Sequence, residues 1–227
     1  MTPLVRLLIA VIALCVFVIQ GGPASAQTTS ETRFTFEDVA HNTLPAEWKS
    51  DATNKQGAPA AWGIIEDYEA PSGVNILALR KVQDNPGSIF NICWVSQPEF
   101  QDGEIEVKVR GDSGKTDQGG GPIWRVKDAS NYYVARYNPL VINFRLYYVK
   151  DGDRKMIADA GDIPIKTREW FTIKIVHKGD KIEGWLNGKK LLDATDKTLP
   201  EAGGVGVWTK ADAASSFDDF VVRSAVK

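Results

Sequence analysis

A guanidinium or a carboxamide on the water-facing side of a sheet can donate paired hydrogen bonds to the hydroxyls of a ligand, while neighbouring rings pack on its apolar faces. The stretch QGGGPIWRVKDASNYYVARYNPLVINFRLYYV, residues 118–149, supplies both kinds of group. It reads as three short strands cut by turns at 127–131 and at Asn138-Pro139. Strict alternation sends neighbouring side chains to opposite faces. Trp124 and Val126 are then expected on one face, with Ile123 and Arg125 on the other. In the next strand Tyr133, Ala135 and Tyr137 oppose Tyr132, Val134, Arg136 and Asn138, and in the third Phe144, Leu146 and Tyr148 oppose Asn143, Arg145 and Tyr147. The pattern gathers Arg125, Arg136, Asn138, Asn143, Arg145 and Tyr147 on one outer face, suited to a polyhydroxylated ligand.

The elements that must carry this face are short and regularly punctuated. Strand-like runs start at Phe34, Trp62, Asn75, Ile89, Gly103, Trp170, Ile182, Lys190, Val205 and Phe217, separated by Gly, Pro, Asn and Asp. Asp151-Gly152 and Asn187-Gly188 are hairpin signals. Gly103–Arg110 alternates cleanly, with Ile105, Val107 and Val109 facing in and Glu104, Glu106, Lys108 and Arg110 facing out. No window has the period of an amphipathic helix. The pattern predicts an all-β, antiparallel two-sheet sandwich in one domain.

The chain has 227 residues and a formal net charge of -2, which gives no sign of a nucleic-acid partner. Residues 1–26 combine Arg6, an apolar run from Leu7 to Ile19 and Ala24-Ser25-Ala26, the form of a secretory signal peptide cleaved after Ala26. The run is short for a membrane span. Lipidation at Cys15 is disfavoured by Leu14 and by the apolar run continuing past it. The expected mature protein is therefore secreted or periplasmic, with a polar tether over 27–33, a sandwich over 34–227, no membrane span and a monomeric state. Cys93 then stands alone in an apolar segment, which predicts a buried small hydrophobe. With His41 and His177 as the only histidines, there is little to build a zinc site from.

The Gly-rich loop 111–121 lacks the Lys-Ser/Thr ending of a phosphate loop and precedes a strand, which argues against a nucleotide. Glycoside hydrolysis usually needs two flanking carboxylates. Glu104 and Glu106 share a face, but no E-x-D-x-x-E run follows.

QGGGPIWRVKDASNYYVARYN, LYYVKDGDRK and GVWTKADAASSFDDF together resemble the secreted domains grouped as 3-keto-disaccharide hydrolases, also labelled family 16 glycoside hydrolase-like. More broadly, the C-terminal strands resemble concanavalin A-like jelly rolls. The resemblance spans essentially the whole mature chain. It implies a jelly roll whose concave sheet holds a glycan on its outer face, at Arg125, Arg136, Asn138, Arg145, Trp208, Lys210 and Gln118. It also implies a calcium ion between the chain ends at Asp219, with Glu37 or Asp38; no other cofactor is expected. The functional expectation is a lectin-like carbohydrate-binding domain. The alternative is a glycoside hydrolase or lyase acting on 3-keto-disaccharides, in which one base and a cationic electrophile suffice for elimination. A third reading is an interaction domain with no sugar site.

Overall fold

The computed structural model describes residues 29–56, 60–81 and 86–225. Residues 1–28 fall outside this range, and with them the signal peptide and its cleavage point. The described chain contains fifteen strands and no helix: β1 Thr29–Phe34, β2 Lys49–Thr53, β3 Ala61–Glu66, β4 Asn75–Lys81, β5 Phe90–Phe100, β6 Gly103–Ser113, β7 Gly121–Asp128, β8 Asn131–Asn138, β9 Asn143–Lys150, β10 Asp153–Ala160, β11 Trp170–Lys178, β12 Lys181–Leu186, β13 Lys189–Thr195, β14 Gly203–Lys210 and β15 Ala214–Ala225. None of the described residues forms a helix long and apolar enough to cross a membrane.

Two antiparallel sheets stack face to face. The first runs β13-β12-β11-β6-β15-β4-β3, with β1 added alongside β15, and the second runs β10-β9-β8-β7-β14-β5-β2. Alternation fills the space between them as expected. Ile105, Val107 and Val109 of β6, with Phe171, Ile173 and Ile175 of β11, meet Tyr133, Ala135, Tyr137, Phe144 and Leu146 of β8 and β9. Burial of this apolar area supplies the main driving force for the sandwich. Cys93 is buried within this core, and burial pushes its thiol well above the ordinary range.

The hairpins use the residues that their geometry demands. Asp151 and Gly152 both adopt positive φ (52° and 85°), as do Asn187 and Gly188 (48° and 78°), the signature of the tight turn that matches strand twist. Strand β14 carries Gly204 and Gly206 because β5 approaches so closely; a Cβ on Gly206 would lie 2.3 Å from the Cys93 carbonyl oxygen.

Three sequence expectations need correction. Residues 29–33 are not a tether, because Thr29–Phe34 pairs in register with β15 from Thr29↔Ala225 to Phe34↔Phe220. Alternation also fails at two bulges, each built on a non-glycine residue with φ of 48°. At Arg125 the ladders of β7 with both neighbours shift register, so Trp124 faces the core while Ile123 and Val126 both face outward. At Asp219 the register with β6 shifts between Asp218 and Val221, which turns both Phe217 and Phe220 inward. An inserted residue that opposes no partner resets the two-residue period.

Candidate functional site

The outer face of the second sheet is not the open polar surface that alternation suggests. Its floor is a second apolar cluster of Phe90, Ile92, Trp94, Ile123, Val126, Tyr132, Val134, Tyr147, Val149 and Trp208. Polar groups stand among these rings. Arg136 and Asn138 of β8, Asn143 of β9 and Lys210 of β14 share the face, as alternation from Val134, Tyr147 and Trp208 requires. Arg136 Nη1 donates to the Asn143 carbonyl oxygen at 3.2 Å and also to Asn143 Oδ1, and Nη2 donates to the Tyr147 hydroxyl at 3.2 Å.

The centre of the constellation is Asp117, which the sequence reading passed over. Its Oδ1 accepts from Asn138 Nδ2 at 2.7 Å and its Oδ2 from Lys210 Nζ at 2.9 Å. Its position is fixed from a distance. The Asp212 carboxylate accepts the backbone amides of Lys115 (2.7 Å), Thr116 (3.0 Å) and Asp117 (2.9 Å), clamping the loop ahead of β7. Burial raises the Asp212 pKa, but these amides outweigh it and hold the carboxyl below its ordinary range. Gly114 completes the loop at φ 147°, where a Cβ would fall 1.9 Å from the Asp117 carbonyl oxygen.

Arg154 is the second residue that the sequence reading missed. It pairs with Val149 across the β9–β10 hairpin, so it shares the outer face. Its guanidinium lies over the rings of Tyr147, Phe90 and Trp208, with centroids at 4.3, 4.9 and 5.6 Å. Register alone would have found it, since Val149 continues the outer set of β9.

The remaining expected ligand contacts are distributed differently. Arg145 is on the outer face but forms a two-point ion pair with Asp159, Nε to Oδ1 at 2.9 Å and Nη2 to Oδ2 at 3.0 Å. Gln118 leaves the face: its Oε1 accepts from Thr167 Oγ1 at 2.7 Å, and its side chain lies against Gly111 of β6 in the other sheet. Arg125 and Arg136 do not share a face. The bulge carries Arg125 to the end of the sandwich, where Nε donates to Gln101 O (2.9 Å), Nη1 to Leu199 O (2.8 Å) and Nη2 to Gly179 O (3.0 Å), beside Asp102 at 3.3 Å. The side chain is 1 % exposed, and every guanidinium nitrogen is engaged within the chain.

Two cavities, of about 520 and 440 Å³, open at this Arg125 end. The first is lined by Asp102, Glu104, Lys178 and Arg223, the second by Arg125, Lys127, Asp128 and Lys150 among others. Their volumes would admit a sugar, but neither brings rings and convergent donors together as the outer face does. Glu104 and Glu106 lie on the far side of the first sheet, remote from Asp117, so they do not supply it with a second carboxylate.

Two of the residues expected to hold calcium, Asp219 and Glu37, are engaged with other groups of the chain. Asp219 faces the Arg33 guanidinium at 3.5 Å. Glu37 accepts the amides of Val74 and Asn75 at 3.2 and 3.0 Å. Among the described residues no group of three or more His, Cys, Asp or Glu side chains converges as a metal site. The neighbouring Asp218 is fully buried and takes Ser72 N at 2.9 Å; burial raises its pKa to about 6.

The carbohydrate-binding module CBM66 from Bacillus subtilis superposes with a TM-score of 0.59 at 20% identity, covering 77% of this chain and 93% of the module. The cellulose-induced protein Cip1 gives 0.56 at 13% identity over 86% and 97% of the two chains. Domain 4 of AbnA, an extracellular arabinanase from Geobacillus stearothermophilus solved with arabinotriose, gives 0.54 at 10% identity over 85% and 91%. At these identities the shared property is the fold. No curated protein matches the sequence. The family model described as a 3-keto-alpha-glucoside-1,2-lyase-like domain matches residues 41–223, so the chain belongs to that family.

Proposed function

We propose that this protein is a secreted carbohydrate-binding domain that takes its ligand on the outer face of the second sheet. The observation that carries the proposal is the convergence of Asp117, Asn138, Arg136 and Lys210 over the floor of Trp208, Tyr147 and Tyr132. A carboxylate accepts from sugar hydroxyls and the amide and cations donate to them, while the rings, 0 to 4 % exposed, back these polar groups from beneath. The likeness to CBM66 and to the arabinotriose-bound domain supports the same reading. Secretion rests on the leader-like residues 1–26. Calorimetric titration with neutral and acidic disaccharides tests the reading. Saturable binding that Asp117→Ala weakens at least tenfold is expected. Absence of heat at millimolar concentrations of every sugar would overturn it.

A second reading is favoured by the single carboxylate set against a cation. On a 3-keto-glucoside, Asp117 would remove the proton from the carbon between ketone and anomeric centre. Lys210 would hold the resulting enolate charge, and as the C1–C2 double bond forms the aglycone oxygen would leave from C1 and take up the proton that Asp117 carries. Consumption of 3-keto-glucosides by the native protein but not by Asp117→Asn supports this reading; intact substrate after prolonged incubation excludes it.

A further inference from the structure

We propose that the ligand of this outer face is an acidic sugar, a uronic-acid unit whose carboxylate sits against Arg154 and Arg136. The proposal rests on the carbohydrate-binding reading and names its ligand class. Arginines elsewhere in the molecule show what a satisfied guanidinium looks like here. Arg110 is paired with Asp67 and Asp112, Arg125 with Asp102, and Arg145 with Asp159. Arg154 has no such partner among the described residues: it makes no ion pair, its guanidinium lies over three aromatic rings, and its Nη1 is buried with no hydrogen-bond acceptor. Arg136 is also hydrogen-bonded to neutral groups alone.

The two guanidinium groups repel one another. Burial is the largest cause that pulls the Arg154 pKa below its ordinary value, and Arg136 pulls in the same direction against Tyr147 and Asp117. Asp117 cannot neutralise both, because it already accepts from Lys210 and Asn138. Lys210, Arg136 and Arg154 therefore gather around Asp117 over an aromatic floor, and the nearby Asp159, which also acts on Arg136, is already paired with Arg145. Rings offer a buried cation attraction but no acceptor for its N–H groups. A carboxylate matches the planar fork of a guanidinium, and Arg154 is half-buried, so the carboxylate of a sugar can approach it from solvent.

The test is NMR or calorimetric titration of the full protein with neutral sugars and their uronic counterparts, glucose and galactose against glucuronate and galacturonate, and the corresponding disaccharides. A sulphated disaccharide serves as a third arm. The uronates are expected to bind at least tenfold more tightly than their neutral partners. Raising salt from 0.05 to 0.5 M should erode that preference while leaving neutral-sugar binding unchanged. Arg154→Gln should abolish it, and Arg154→Lys should retain part of it. Neutral sugars binding as tightly as uronates, a preference indifferent to salt, or binding of the sulphated sugar alone would overturn the carboxylate assignment and leave the carbohydrate reading standing. Absence of binding by every sugar would remove both. If Arg154→Gln fails to fold, the salt dependence of the native protein still decides.

Discussion

Arg125 and Arg136 lie eleven residues apart on adjacent strands, and their surroundings differ in kind. Arg125 is sealed at the end of the sandwich by three backbone carbonyls and Asp102, next to the Trp124–His177–Tyr133 cluster of the core. Arg136 stands on an aromatic floor beside Arg154, donating to the Asn143 backbone and side-chain oxygens and the Tyr147 hydroxyl, with no carboxylate paired to it. Backbone carbonyls drawn from three separate loops are the partners of a structural staple. Arg136 and Arg154, gathered on one face without a carboxylate paired to either, are the groups proposed to take the ligand. Cost to stability and cost to binding should therefore separate between the two regions.

The largest expected effect is at the sealed end. Arg125→Met removes every donor to Gln101 O, Leu199 O and Gly179 O and leaves Asp102 without its cation, and should cost roughly 3 to 5 kcal/mol. For a chain of this size that lowers Tm by roughly 10 °C, measured by calorimetry, while the folded fraction keeps its sugar affinity. A loss of binding with unchanged Tm would reverse the assignments of the two arginines.

Next in size is the pH response of the same end. Trp124 Nε1 donates to His177 Nδ1 at 2.9 Å, and burial, followed by the Arg125 charge, lowers the His177 pKa to about 4. The unfolded chain takes up the proton near pH 6.5 and the native one near 4, so stability is full above 6.5 and falls as the pH drops through this window. The loss is about 3 kcal/mol. Asp218 works in the opposite sense: with its pKa raised to about 6, its contribution is present below about 4 and lost as pH rises through 6. Tm against pH for Asp218→Asn should therefore show a steeper acid-side decline than the native protein, because the compensating group is gone.

Smaller stability effects are expected on the outer face. Arg136→Met loses hydrogen bonds to Asn143 and Tyr147 but relieves repulsion with Arg154, so its net cost should stay near 1 kcal/mol while uronate affinity falls at least tenfold. Asp212→Asn weakens one clamp on the loop that carries Asp117. A loss of about 1 kcal/mol and a several-fold drop in affinity are expected, by denaturant titration and calorimetry respectively. If Asp212→Asn left affinity intact, the position of Asp117 would not depend on that clamp.

Much of this was legible in the sequence because it depends on local rules. Alternation over 103–110 and 131–149 placed the core residues, and Asp-Gly and Asn-Gly marked their turns. The same alternation put Arg136, Asn138 and Arg145 on one face. It misplaced Arg125 and left Asp219 unexplained because both occupy bulges, where neither glycine nor proline announces the extra residue. Strand β1 was hidden by its polar composition, since an edge strand held by the β15 ladder needs little apolar surface. Asp117 was hidden because its neighbours Asn138, Lys210 and Asp212 are brought to it by tertiary pairing across 21 to 95 positions. A Gly-rich loop shows only that the backbone turns there.

The two tryptophans that mark the two regions provide the most direct measurement. Trp208 belongs to the outer floor and Trp124 to the sealed core, and each indole N–H gives a separate NMR signal assignable by Trp→Phe substitution. Titration with glucuronate and galacturonate disaccharides is predicted to shift the Trp208 indole signal saturably and leave that of Trp124 in place. Movement of the Trp124 signal with Trp208 unmoved would put the ligand at the Arg125 end and contradict the account.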